Sequence, residues 1–189
     1  MPENKQALLA EVKQVRAEAD CLADEARIEQ ALDEMAAAIT ARLGDADPLV
    51  YTIMNGGLVL AGKILPKLNF PLEVAYLHAT RYGHALNGTM LDWRVRPTQD
   101  LRGRSVLVLD DILDEGYTLL AVMEHLRNEG AAEVLSAVLV DKQHDRKARP
   151  GMRPDFCGID LPDRFLFGCG MDYKGYWRNT PAIYALKGS

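Results

Sequence analysis

No apolar run in this sequence reaches the roughly 18 residues that a membrane-spanning helix needs. The opening residues, Met-Pro-Glu-Asn-Lys-Gln, lack the apolar core of a secretory signal. Cysteine is scarce: Cys21, Cys157 and Cys169 are odd in number and not at zinc-ligand spacing. They exclude a disulfide framework and read as reduced thiols in a cytoplasmic protein. A basic excess is missing as well. The net charge of −5 argues against nucleic acid or an anionic membrane as a partner, though not against a local basic pocket. The four histidines, His78, His84, His125 and His144, are scattered and receive no role. Internal repeats and low-complexity linkers are absent. What remains is a 189-residue chain with a hydrophobic fraction of 48%, enough for one well-formed core.

The hydrophobic pattern along the chain alternates between helix and strand. Residues 3–19 read as a polar helix with a modest stripe of Leu8, Leu9, Val12 and Val15. A second helix runs over about 24–43, where Ile28, Leu32, Met35, Ile39 and Leu43 fall at helical spacing and Gly44 closes it. Residues 48–54 read as a buried strand, Asn55-Gly56-Gly57 as a break and 58–65 as a helix. A strand at 72–77 precedes a polar, irregular stretch, 78–100, of the length expected for a functional loop. A strand at 105–109, a helix at 118–129 and a strand at 133–140 follow. This alternation predicts an α/β fold, with a central, mostly parallel twisted sheet flanked by helices. Ligands of such folds bind beyond the carboxyl ends of the strands, where 55–57, 110–118 and 141–146 converge. The turn-rich, aromatic tail from Met152 onward predicts a small hood over that edge.

The most informative string is Val106-Leu-Val-Leu-Asp-Asp-Ile-Leu-Asp-Glu-Gly-Tyr-Thr118. An aliphatic strand ends in two carboxylates, Asp110 and Asp111, with Asp114 three residues on. Gly116 permits a tight turn, and Thr118 opens an apolar helix. Backbone N–H groups and the helix dipole at such a turn favour a phosphate, while carboxylates beside it suit sugar hydroxyls or Mg²⁺. By itself, an Asp pair at a strand end reads equally well as a solvated turn.

The string closely resembles the phosphoribosyl pyrophosphate (PRPP) motif of type I phosphoribosyltransferases. Two further segments follow in matching order. Leu139-Val-Asp-Lys142 resembles the Leu-x-Asp-Lys of the hypoxanthine-guanine phosphoribosyltransferases. Gly158-Ile-Asp-Leu-Pro-Asp-Arg-Phe165, leading to Gly170-Met-Asp-Tyr173 and Arg178, resembles that family's hood. The resemblance covers about residues 22–186. It implies one phosphoribosyltransferase domain over 1–189, with a core at about 22–150, a hood at about 151–187 that draws in N-terminal residues, and an extra helix at 1–20. It also implies a 6-oxopurine base, PRPP and Mg²⁺ as substrates and metal, and a homodimer or homotetramer.

Residue roles follow from the same resemblance. Asp110 and Asp111 would accept from the ribose hydroxyls and, with Asp172, help hold Mg²⁺. Asp114 would be the general base near purine N7. The turn Asp114, Glu115, Gly116, Tyr117, Thr118 would wrap the 5′-phosphate, with Asn55, Gly56 and Arg178 near pyrophosphate. Lys142 would donate to purine O6, Phe165 would stack on the base, Leu166 would meet its edge, and Asp172 would lie beside it. Thr80, Arg81, Tyr82 and Gly83 resemble the mobile flap. Taken singly, Phe165 reads as core, Lys142 and Arg178 as solvated surface, and Asp172-Tyr173 as a turn.

This chain departs from many members at two places: Asn55 replaces a lysine, and Glu115 stands where threonine or serine is usual. A carboxylate in a phosphate loop repels its ligand, so Glu115 is expected to face away. The leading reading is purine salvage to IMP and GMP. The alternatives are a xanthine-preferring enzyme, a catalytically inactive PRPP or nucleotide sensor, and an unrelated acidic-site phosphatase. The intact Asp114 opposes the sensor, and the hood opposes the phosphatase.

Overall fold

The computed structural model describes residues 3–81 and 91–189. Helix α1 (Glu3–Glu18) leads into β1 (Asp20–Ala23), α2 (Glu25–Leu43), β2 (Leu49–Ile53) and α3 (Gly57–Ile64). Then come β3 (Glu73–Arg81), β4 (Leu91–Val95), β5 (Ser105–Leu113), α4 (Tyr117–Asn128) and β6 (Glu133–Gln143). The chain finishes with β7 (Phe156–Pro162), β8 (Leu166–Phe167) and β9 (Ile183–Ala185).

Six strands form the main sheet in the order β4-β3-β2-β5-β6-β7, parallel throughout except for β4 against β3. The run Val106–Leu109 is apolar at every position because both sides of β5 are covered. Leu107 and Leu109 join Ile28, Leu32, Met35 and Ile39 of α2 and Leu60 and Ile64 of α3. Val106 and Val108 face the other way, onto Leu119, Val122 and Leu126 of α4. Helix α2 forms where its pattern predicts. Asp24 caps it by accepting the Arg27 N–H at 2.9 Å, and its buried residues recur at three- and four-residue spacing. Strand order reverses between β2 and β5, so their carboxyl ends flank a topological switch point, the place where open α/β sheets bind ligands.

The structure corrects several expectations. The stretch 78–100 is not structureless: β3 continues to Arg81 and pairs with β4, Thr80 opposite Asp92 and Arg81 opposite Leu91. Thr80 and Arg81 are therefore strand rather than flap residues, and Tyr82 and Gly83 lie outside the described residues. Strand β5 does not stop before the acid pair. It runs to Leu113, because β6 continues beside it and pairs Asp110 with Val138 and Leu113 with Asp141. Ladder pairing here overrides the low strand propensity of aspartate. In the tail, β7 belongs to the main sheet, next to β6. A second, three-stranded antiparallel sheet, β1-β9-β8, combines residues 20–23 with the end of the chain and forms the hood.

Ile39 is fully buried between α2 and the sheet. Ile39→Ala should cost about 2–5 kcal/mol of unfolding free energy, the range for such cavities. Urea denaturation with an unchanged slope would measure it.

Candidate active site

The end of β5 carries the densest charge in the switch-point crevice. Asp111 is buried and Asp110 is half-buried, and the Asp110 carboxylate accepts the Asp111 N–H at 3.0 Å. Burial pushes the Asp110 carboxyl well above the usual carboxylate range, and the neighbouring Asp111 charge adds to the shift. Burial also raises Asp111, against the pull of its Asp110 contact and of Arg178, whose guanidinium lies 3.7 Å away. Two glycines allow the surrounding loops to close on this pair. A Cβ on Gly56 would collide with the Asp111 carboxylate. Gly170, at φ +108, sits where a Cβ would be 2.6 Å from the Gly56 carbonyl oxygen. The peptide bond between Met54 and Asn55, just ahead of Gly56, is cis.

Beyond the pair the chain turns into α4. Gly116 adopts φ +85 and, as the N-cap residue, brings no side chain of its own to the start of α4, an end that favours an anion. A cavity of about 350 Å³ lies against this turn, lined by Asp110, Asp111, Ile112, Asp114, Glu115, Gly116, Tyr117, Thr118 and Leu119. Glu115 is half-buried among these lining residues, and its carbonyl accepts the Ala148 N–H at 2.7 Å. A second cavity of about 180 Å³ adjoins the first and shares Asp111, Ile112 and Asp114 with it. Its other walls are Lys142, Phe165, Leu166, Met171 and Asp172. Phe165 is 46% exposed rather than core, and Tyr173 meets it edge-on at 5.7 Å between ring centres.

Asp114 stands between the two cavities. One carboxylate oxygen accepts from Lys142 Nζ at 2.8 Å, and the other meets His144 Nε2 at 2.8 Å. Burial works to raise its pKa, but the hydrogen bonds from Lys142 and His144 outweigh that and hold it below the ordinary value. Its backbone is fixed too. Lys147 Nζ donates to the carbonyls of Leu113 and Asp114 at 2.7 and 2.8 Å and to the buried Asp141 carboxylate at 2.7 Å.

The hood supplies Arg178 and Asp172, which pair with each other, while Arg178 also donates to the Gly170 carbonyl at 2.6 Å. Helix α1 buttresses this segment. Glu11 accepts from the Tyr173 hydroxyl at 2.8 Å, and Trp177 Nε1 donates to the Val12 carbonyl at 2.7 Å. The Arg16 guanidinium lies 3.5 Å from the centre of the Tyr184 ring.

The structure thus gathers the residues of 110–118 that carry the acid pair and the turn, with Lys142, Phe165, Leu166 and Asp172, in adjoining walls, and sets Arg178 beside Asp111 and Gly56 against the Asp111 carboxylate. Asn55 is exposed and lines neither cavity. Sequence reasoning missed His144 and Lys147. Neither belongs to a motif, and only the third loop after β6 brings them under Asp114. Asp114, His144 and Asp163 also place one possible metal-ligand atom each within 4.8 Å of one another. Lys142 already lies 2.8 Å from Asp114 and 3.6 Å from Asp163, and Arg146 holds Asp163 at 2.6 and 3.0 Å. Cations of the chain itself satisfy that trio.

Residues 18–174 match the phosphoribosyl transferase domain. A hypoxanthine-guanine phosphoribosyltransferase of Bacillus subtilis is 32% identical over 170 residues, 88% of this chain and 92% of that one. A hypoxanthine-guanine-xanthine phosphoribosyltransferase of Tritrichomonas foetus is 30% identical over 166 residues, 86% of this chain and 88% of that one. Among solved structures, a hypoxanthine phosphoribosyltransferase of Staphylococcus aureus superposes with a TM-score of 0.85 at 24% identity, over 91% of this chain and 94% of that one, and shares the fold. Helix α1 lies almost wholly before the matched region, whereas the acid pair, Asp114 and Lys142 lie within it. This chain belongs to the hypoxanthine-guanine phosphoribosyltransferase family.

Proposed function

We propose that this phosphoribosyltransferase converts hypoxanthine and guanine, with PRPP, to IMP and GMP plus pyrophosphate. The observation that carries the reading is the pair of adjoining cavities that share Asp111, Ile112 and Asp114. One lies against the N-terminus of α4, where the helix dipole favours the 5′-phosphate. The other offers Lys142 to O6, the Phe165 ring to the base plane and the Leu166 backbone to the base edge. The relatives named for hypoxanthine and guanine support the same substrates. Turnover with each of hypoxanthine, guanine, xanthine and adenine tests it. Hypoxanthine and guanine should give nucleotide. Xanthine as the best substrate would shift the specificity, and no turnover with any base would favour the sensor reading.

The residues fit Mg²⁺. Asp110 and Asp111 are acids held out of water beside each other, a charge density that a cation relieves, and Asp172 faces the same cavity edge. Bound there with PRPP, Mg²⁺ supplies charge neutralisation for the departing pyrophosphate. The chain's own residues do the rest. Asp110 and Asp111 accept from the ribose 2′- and 3′-hydroxyls. The turn at residues 114–118 holds the 5′-phosphate, and Arg178 meets the pyrophosphate. As the purine enters, Lys142 turns from Asp114 to O6. Asp114 then loses one of the donors that keep it a weak base and is free to take the N7 proton. Asn55 and Gly56 would lie near pyrophosphate, and Glu115 and Tyr117 border the phosphate.

Assembly as a homodimer or homotetramer is part of the proposal. Its support is an uncovered apolar face on β3 and α3, where Val74 is 58% exposed, Tyr76 55% and Leu58 55%. The cytoplasm as its location is supported by three free thiols. No described helix is long and apolar enough to cross a membrane.

Asp114→Asn should lower kcat by about 10²–10⁴-fold, the usual worth of acid–base catalysis, while KM for PRPP changes little. Steady-state kinetics with hypoxanthine check this, and an unchanged kcat removes Asp114 from the base role. Lys142→Ala should lose most oxopurine turnover, because O6 would be buried without its donor. Wild-type adenine turnover should be negligible, since the lysine ammonium faces another donor there. A mutant that keeps the wild-type hypoxanthine-to-adenine ratio of kcat/KM would locate the discrimination elsewhere.

The acid pair gives a stability prediction. The folded state raises the Asp110 pKa above its unfolded value, so above the ordinary carboxylate range it binds more protons than the unfolded chain. The associated stability is therefore present at low pH and lost as pH rises through the raised value. Asp110→Asn should flatten that loss and raise Tm at neutral pH relative to the wild type. Calorimetry at several pH values without Mg²⁺ tests it, and a lower Tm for the variant at neutral pH contradicts it.

A further inference from the structure

The two oxygens of Asp114 have unequal partners. Lys142 donates to one from a flexible four-carbon stem, at 2.8 Å. His144 reaches the other at 2.8 Å from a ring whose side chain is only 4% exposed. The far side of that ring is held as well. His144 Nδ1 accepts the backbone N–H of Arg146 at 3.0 Å. A ring nitrogen that accepts carries no proton, so the neutral imidazole bears its proton on Nε2 and donates it to Asp114. The main chain thereby fixes both the tautomer and the direction of the ring.

This difference matters when the site fills. Lys142 lines the base cavity and is the donor that purine O6 claims. A carboxylate held by Lys142 alone would then be free to rotate away from N7. His144 is buried, backbone-held and engaged on the oxygen that Lys142 does not use. We propose that His144 is a positioning residue for the base Asp114: it keeps one oxygen anchored, so that the oxygen released by Lys142 faces the purine N7 proton. The proposal rests on the reading of Asp114 as general base. It needs no metal and no change in the charge of His144.

Two substitutions separate this role from mere packing. His144→Asn keeps an acceptor for the Arg146 N–H, but its amide is too short to reach Asp114. His144→Gln places an N–H donor near the original Nε2. Both would be made in the wild type and in Asp114→Asn, and kinetics measured with hypoxanthine and PRPP. His144→Asn should lower kcat by about 10–100-fold, the usual cost of losing an orienting partner, with KM for PRPP within about twofold. His144→Gln should recover most of that loss. In Asp114→Asn neither change should lower kcat further, because the residue they act through is already disabled. Wild-type kcat in His144→Asn overturns the proposal, as does an equal fold-loss in both backgrounds. A Gln variant no better than Asn overturns it too. Wild-type kcat in Asp114→Asn would instead remove the base reading, and the His144 role with it.

Discussion

Burial raises the carboxyls of Asp110 and Asp111, and the Asp111 charge raises Asp110 further. A chain selected for stability alone has no use for such a pair at the end of a central strand. The arrangement becomes reasonable once sugar hydroxyls and a divalent cation occupy the crevice. Much of the nearby backbone serves to bring neutral groups against these acids. Gly56 and Gly170 omit the side chains that would block the approach, and Arg178 offsets part of the charge from the hood side. The switch point between β2 and β5 provides the location, and the glycines and the arginine make it tenable.

Asp114 has a different environment. It is tied to donors on both oxygens, and its backbone carbonyl is held by Lys147. In the free site the hydrogen bonds from Lys142 and His144 make it a poor proton acceptor. On the proposed reading, its reactivity is conditional on the arrival of a base that competes for Lys142. On the same reading, PRPP alone would meet a carboxylate that already has a partner on each oxygen, which limits its use as a base toward water.

How far the sequence disclosed this arrangement depends on the range of the interactions. The aliphatic run 106–109, the left-handed Gly116 and the helix behind it are local, and each left its mark in composition and spacing. The buried face of α2 was equally plain, because its period is its own. The continuation of β5 through Asp110 to Leu113 was not, since only the ladder with β6 holds those aspartates extended. Strand β4 was hidden by its polar residues Asp92 and Arg94, although Leu91, Trp93 and Val95 alternate with them. His144 lies 30 residues from the carboxylate it holds, and no motif announces such a pair. The catalytic string could be read because chain-local geometry builds it. His144 and Lys147 could not, because only the loop after β6 brings them to Asp114.

The hood has a temporal consequence. Its middle strand, β9, pairs with β1 at one edge and β8 at the other, so Asp20 waits for Ala185 before the small sheet can close. Contacts this distant in sequence form late in folding. During synthesis the main sheet has its strands in hand while Phe165, Asp172 and Arg178 still lack the layer that holds them. The phosphate turn can thus be shaped before the base platform is seated. A molecule arrested short of residues 183–185 would keep the acid pair but lack the wall that confines a purine beside it.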